Sequence, residues 1–170
     1  MTALDIMDSK KPSIEIERKF LVNAVPDNLQ EFENTVIRQG YLVIGDDGSE
    51  VRLRDRNGQY TLTTKSKGEL SRGEWETPIR TEQFEALWPA TVGKRVEKTR
   101  YAIPLGDVTI ELDVYQGELE GLVSAEVEFP DEATARAFTP PKWMSVDVTN
   151  DKAFKNQQLA LNGLPSQIQT

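Results

Sequence analysis

The chain has 170 residues, enough for one well-buried domain but too few for two domains with substantial cores of their own. Its formal charge of -8 repels nucleic acid and anionic lipid surfaces, so any anionic ligand has to be held locally or through metal ions. Cysteine and histidine are both absent, which excludes disulfides, thiolate metal sites, cysteine nucleophiles and the commonest general base.

Residues 1–13 carry Asp5, Asp8, Lys10, Lys11 and Pro12 without an apolar stretch or a small-residue cleavage site, so they are expected to be a flexible tail and not a secretory leader. Residues 14–170 are expected to form a single domain. No apolar run is long enough to span a bilayer, and a cytoplasmic protein is expected. In Ile14-Glu15-Ile16-Glu17-Arg18-Lys19-Phe20 the alternation predicts a strand with Glu15, Glu17 and Lys19 on one face and Ile14, Ile16 and Phe20 on the other. Leu29, Phe32 and Val36 stand at helical spacing after Pro26 and before Gly40, predicting a helix within residues 27–36. A short strand over 41–44 follows, then the turn Gly45-Asp46-Asp47-Gly48 and a strand over 50–56. Asn57-Gly58 is a strong hairpin signal, because both residues tolerate the positive φ of a two-residue turn, and residues 59–65 return.

Residues 66–73 read as a loop and 74–79 as a strand. Thr81 is placed to cap a helix that runs to Trp88 and is stopped by Pro89. Strands over 95–103 and 108–115 are separated by the turn Pro104-Leu105-Gly106-Asp107. After a polar link over 117–121 comes a strand over 122–129, then a helix capped by Asp131 and ending near Thr139, and a last helix over 152–162.

Same-face charged pairs recur along these strands. Arg52 and Arg54 flank Leu53, Glu74 and Glu76 flank Trp75, and Lys98 and Arg100 flank Thr99. Glu111 and Asp113 flank Leu112, and Glu126 and Glu128 flank Val127. Any one such alternation fits a solvated sheet face. Acids and bases in step on so many strands point instead to a lined interior. Hairpin-linked antiparallel strands fit a sandwich or a barrel. A sandwich would bury Ile14, Val51, Leu53, Leu62, Trp75, Ile110, Leu112, Val127 and Phe129 between its sheets, whereas a barrel with a polar lumen would turn them outward under the helices. Trp75, Trp88, Trp143 and Tyr101 are expected to be packing residues. Carboxylate clusters without histidine or cysteine point to the hard cations Mg²⁺ or Mn²⁺.

Glu15-Ile16-Glu17-Arg18-Lys19 resembles the ExExK signature of the CYTH superfamily, the triphosphate tunnel metalloenzymes, in its short bacterial form. The likeness continues in order through Arg52-Leu53-Arg54, Thr63-Thr64-Lys65, Glu74-Trp75-Glu76, Lys98-Thr99-Arg100-Tyr101, Glu111-Leu112-Asp113 and Glu126-Val127-Glu128, and on to Asp147-Val148-Thr149, Lys152 and Asn156. It implies an α+β protein built on an eight-stranded antiparallel barrel, a tunnel with a charged lumen flanked by helices. By the same resemblance Lys19, Arg52, Arg54, Lys65, Lys98 and Arg100 would hold triphosphate oxygens, with Lys152 a weaker contributor from the last helix. Glu15, Glu17, Glu126 and Glu128 would hold metal. Glu111 and Asp113, together with Lys19, would serve catalysis, Asp113 also as ligand to a second metal. Glu74 and Glu76 would either join them or orient the bases.

The implied reaction is metal-dependent hydrolysis of inorganic tripolyphosphate, with two ions of Mg²⁺ or Mn²⁺ expected and a metal-activated water attacking a terminal phosphorus. Adenylyl cyclase of the family's class, thiamine triphosphatase and a non-catalytic polyphosphate-binding module are the alternatives. The expected partner is a small triphosphate, with neither nucleic acid nor membrane, and a homodimer is left open.

Overall fold

The computed structural model describes residues 13–68 and 71–168. The strands are β1 (Ser13–Val22), β2 (Asn34–Ile44), β3 (Glu50–Arg56), β4 (Gln59–Lys65), β5 (Ser71–Pro78), β6 (Arg95–Leu105), β7 (Val108–Tyr115), β8 (Val123–Glu128) and β9 (Met144–Asp147). Three helices accompany them: α1 (Thr81–Leu87), α2 (Glu132–Ala137) and α3 (Asn156–Asn162). The expected tail lies, up to residue 12, outside the described residues, and Ser13 already belongs to β1.

The strand order is β5-β4-β3-β2-β6-β7-β8-β1-β9, and a further pairing of β5 with β1 closes the first eight into an antiparallel barrel. Closure rests on β1 being long enough for several partners. Its first half pairs with β5, with Glu15 opposite Arg72, and its later residues pair with β8, with Glu17 opposite Glu128 and Lys19 opposite Glu126. β9 continues along β1 beyond β5, placing Phe20 opposite Asp147. Local chemistry sets the hairpin registers. Asn57 and Gly58 take φ of 50° and 83°, the mirror-image turn that suits the twist of β3 and β4, so Arg52 faces Thr63 and Arg54 faces Thr61.

The apolar faces turn outward. Ile110, Leu112 and Val127 are fully buried outside the lumen with Phe20, Phe129 and Met144, beneath Ala135 of α2 and Leu29. On the far side Phe84 of α1 packs between Tyr60 of β4 and Trp88, with ring centroids at 4.5 and 5.0 Å. No helix covers every stretch: Ile14 is 68% and Trp75 44% exposed. Trp75 is therefore not the packing residue it was expected to be, because no helix among the described residues covers the outward face of β5 there. A second apolar layer closes one end of the barrel. Val96 and Tyr115, which share faces with Lys98 and Asp113, pack with Leu21 and with Phe154 and Leu159 from the C-terminal segment.

Four local expectations are corrected. The helix over 27–36 is a 3-10 turn, Leu29–Glu31, followed by β2, because Leu29 and Phe32 pack from a turn while Ile37, Gln39 and Tyr41 alternate inward as a strand. Residues 71–73 are strand and not loop, since pairing with β1 imposes extended structure on a Ser-Arg-Gly segment of weak intrinsic strand preference. Arg80, not Thr81, is the N-cap of α1, its amide donating to Gln83 Oε1 at 2.9 Å. The last helix is broken: Lys152–Phe154 is a 3-10 turn, Lys155 is extended with ψ of 136°, and α3 starts at Asn156. The helix cap at Asp131 is as expected, its carboxylate accepting from Thr134 N at 2.7 Å.

A Cβ added at Gly40 would lie 2.5 Å from Thr91, whose hydroxyl is held by the Trp88 carbonyl at 2.7 Å. Gly40→Ala is accordingly expected to lower stability by about 1–3 kcal/mol, seen as a reduced denaturant midpoint with little change in slope. An unchanged midpoint would mean that β2 and the Thr91 segment separate freely. Among the described residues no helix is long and apolar enough to cross a membrane.

Candidate functional site

Period two on paired strands brings the charged side chains of seven barrel strands into one cavity of ≈ 310 Å³. Glu15, Glu17 and Lys19 enter from β1, Arg52 and Arg54 from β3, Lys65 from β4, and Glu74 and Glu76 from β5. Arg100, Glu111, Glu126 and Glu128 complete the wall from β6, β7 and β8. Lys98 and Asp113 lie beneath this surface, both fully buried. Lys152 is not part of the lining. The break at Lys155 puts it on a separate turn beside a different cleft, so it does not reach the cavity from the last helix as expected.

Most of the acids and bases are paired with one another. Lys65 Nζ lies 2.5 Å from Glu15 and 3.3 Å from Glu74, and Lys19 Nζ lies 3.6 Å from Glu126. Arg100 is a hub: it clamps both oxygens of Asp113 at 2.7 and 2.8 Å, reaches Glu126 at 3.4 Å and contacts Glu111. Lys98 Nζ donates to the same Asp113 at 2.7 Å. Both Asp113 oxygens are therefore engaged by cations in a fully buried position, which leaves this carboxylate no face toward the cavity. Glu76 accepts from the Thr63 hydroxyl at 3.0 Å. Lys19 Nζ also donates to the Phe154 carbonyl at 2.6 Å, tying it to the closed end of the barrel.

Several lining groups have no ion-pair partner among the described residues, and Arg54, Glu17 and Glu128 are the ones whose charge the site most clearly opposes. Arg54 forms no ion pair among the described residues; its guanidinium donates only to Gln39 Oε1, at 3.1 and 3.3 Å. Burial first, then Arg52 and Arg100, oppose its charge and push its pKa down to about 9. Glu17 and Glu128 face one another across β1 and β8 and likewise have no cation partner among the described residues. Burial, then Glu126 and Glu15, push the Glu17 carboxyl up to about 8. Glu128 is raised by burial and by Glu15, Glu111 and Glu74. The paired acids behave oppositely. Burial opposes ionisation of Glu126, but Arg100 and Lys19 outweigh it and hold the carboxyl well below the usual range. Asp113 is lowered in the same way by Arg100 and Lys98.

Glu50, Arg56 and Arg72 also line the cavity and were missed. Glu50 and Arg56 sit two residues before Arg52 and after Arg54, so the alternation itself would have found them. Arg72 was hidden because its segment read as a loop, although it keeps step with Glu74 and Glu76. Arg18, by contrast, points outward as its parity requires, and its guanidinium binds Asp147 at 2.7 Å.

A closed antiparallel barrel whose lumen opposes clustered arginines and lysines to clustered carboxylates, closed by apolar packing at one end, is a tunnel for a compact polyanion. The CYTH domain family matches residues 13–140, and the chain belongs to that family. It is 52% identical over 149 residues to the inorganic triphosphatase of Nitrosomonas europaea, covering 87% of this chain and 97% of that one. A second inorganic triphosphatase, from Acetivibrio thermocellus, is 37% identical over 151 residues, with 87% and 94% covered. The crystal structure of an inorganic triphosphatase superposes with a TM-score of 0.67 at 49% identity, covering 89% of this chain and 96% of the other.

Proposed function

We propose that the chain hydrolyses inorganic tripolyphosphate, releasing orthophosphate, with the help of a divalent cation. The observation that carries this reading is Arg54, a half-buried guanidinium among Arg52, Arg56 and Arg100 with no carboxylate partner among the described residues. A protein keeps such a charge where a ligand supplies the counter-ion. A phosphate chain does so, and the planar arginine fork meets its oxygens two at a time. The high identity to two inorganic triphosphatases supports the same substrate class.

The lining favours an inorganic chain over a nucleotide. Its aromatic members among the described residues, Tyr41 and Phe154, are almost fully buried, so the described lining offers no exposed ring on which a base or a thiazolium would stack. In this reading Arg52, Arg54 and Arg100 neutralise and align the phosphates, and Lys19 and Lys65 add point charges. Asp113 is assigned to hold Arg100 and Lys98 in place and leaves the metal set, because its oxygens are already engaged.

The carboxylates fit a divalent ion of the Mg²⁺ or Mn²⁺ kind. Glu17 and Glu128 are cross-strand neighbours, and burial first, then the surrounding carboxylates, raises the pKa of each, a setting that a bound cation would relieve. Among the described residues no three acids stand close enough to hold a metal by themselves, which suits Mg²⁺, an ion that keeps one or two carboxylates and takes phosphate oxygens and water for the rest. When bound there, the ion would supply charge neutralisation and an acidified water. The protein's own part is to hold the chain in line, to exclude other nucleophiles from the closed end, and to keep Glu126 ionised beside Lys19.

The test is a single assay of purified protein with tripolyphosphate, ATP and thiamine triphosphate, each with Mg²⁺, Mn²⁺ or EDTA, reading orthophosphate, pyrophosphate and cyclic nucleotide. Orthophosphate from tripolyphosphate, abolished by EDTA, is expected. Intact tripolyphosphate beside cyclised ATP would replace this reading with the cyclase.

A further inference from the structure

We infer that Glu50 is a positioning residue that aims two cavity arginines at the ligand, an assignment that rests on the anion-binding reading of Arg52. Glu50 is a carboxylate with 4% exposure whose two oxygens face different partners: Oε1 lies 3.2 Å from Arg52 Nη1, and Oε2 lies 3.7 Å from Arg72 Nη2. Arg72 is further fixed by donating to the Ser66 carbonyl at 3.3 Å and to the Gly48 carbonyl at 3.1 Å. Gln157 of α3, itself buried, donates to that same Gly48 carbonyl at 3.1 Å. Arg52 is 5% exposed and its Nε has no acceptor among the described residues, so the guanidinium is held at one end and has a donor to spare. Two guanidinium groups bridged by one carboxylate lose their mutual repulsion and much of their rotational freedom.

Charge counting and positioning make opposite forecasts for Glu50. Removing a negative charge from an anion site should tighten binding through Coulomb attraction alone. If Glu50 instead orients Arg52 and Arg72, its loss frees both forks and binding weakens. Burial opposes the charge on Arg52, and Glu50 is the foremost group that sustains it.

The experiment compares Glu50→Gln, Arg72→Gln and the double variant for tripolyphosphate affinity in EDTA and for steady-state kinetics with Mg²⁺, with thermal melts to show that each folds. Glu50→Gln is expected to weaken binding by about tenfold, with KM rising more than kcat falls, and Arg72→Gln to do the same. The double variant should be little worse than the worse single, since both act on one bridge. Unchanged or tightened affinity in a folded Glu50→Gln protein, or fully additive losses, would overturn the assignment. Should Glu50→Gln fail to fold, normal affinity in Arg72→Gln would overturn it as well. Arginine Nε–H resonances give a readout that needs no substrate: those of Arg52 and Arg72 should exchange slowly in the wild type and quickly in Glu50→Gln. No difference there sinks the role of Glu50, whereas wild-type protein that neither binds nor hydrolyses tripolyphosphate sinks the proposed function and leaves this readout standing.

Discussion

Arg54→Ala is expected to cut kcat/KM for tripolyphosphate by well over tenfold while raising the melting temperature of the ligand-free protein. The loss follows from removing charge-assisted hydrogen bonds to phosphate, each worth roughly 1.5–3 kcal/mol, which is about ten- to a hundredfold in rate. The gain follows from the surroundings. Arg54 is half-buried among Arg52, Arg56 and Arg100, has among the described residues only the neutral Gln39 as a hydrogen-bond partner, and burial and the three arginines oppose its charge while Tyr41 supports it. Most cavity-lining truncations lower stability, so a rise in melting temperature together with lost activity is a distinctive signature of a site held ready for an anion. Arg54→Lys should recover only part of the rate, because an ammonium cannot reproduce the fork. Near-normal turnover in Arg54→Ala would remove this residue from the site, and a lowered melting temperature would show that like-charge repulsion does not govern it.

Glu17→Gln should have the second large effect, on both turnover and the pH dependence of stability. In the metal-free protein the folded carboxyl titrates near 8 against an ordinary 4.5. Across that window the folded state holds a proton that the unfolded state has released, so stability falls as pH rises from 4.5 toward 8 and then levels off. Denaturant titrations in EDTA over this range should show the fall in wild type, with a total of at most about 5 kcal/mol, and a flatter profile in Glu17→Gln. At the alkaline end the variant should be the more stable of the two. Turnover with Mg²⁺ should nonetheless drop by well over tenfold, since a neutral amide replaces a charged ligand of the proposed divalent site. Parallel pH profiles for the two proteins would show that Glu17 is already ionised and relieved by a neighbour.

The two residues illustrate how much of the site was open to inspection beforehand. Arg54 and Glu17 were found because alternation assigns a face without any knowledge of the partner strand, and the same logic extends to Glu50 and Arg56, which were overlooked. Asp113 shows the limit. Its parity places it on the lumen side, but its fully buried position and the cations that take both oxygens depend on Arg100 and Lys98 from the neighbouring strand. Lys152 marks another limit, because the extended Lys155 that separates it from α3 has no local breaker residue to announce it. Arg72 became a cavity residue only when its Ser-Arg-Gly segment was drawn into strand by β1.

By itself the amino-acid order determined the alternation, the hairpin turns and the chemical class of the lumen, since these depend on neighbours a few residues apart and on side-chain charge. Only the tertiary structure decided that the charged faces look inward, that β1 and β5 meet to close the wall, and which acids are neutralised and which are left waiting. The reason is physical: a strand's two faces are equivalent until a sheet curves, and curvature, closure and burial are set by contacts between segments far apart in the chain.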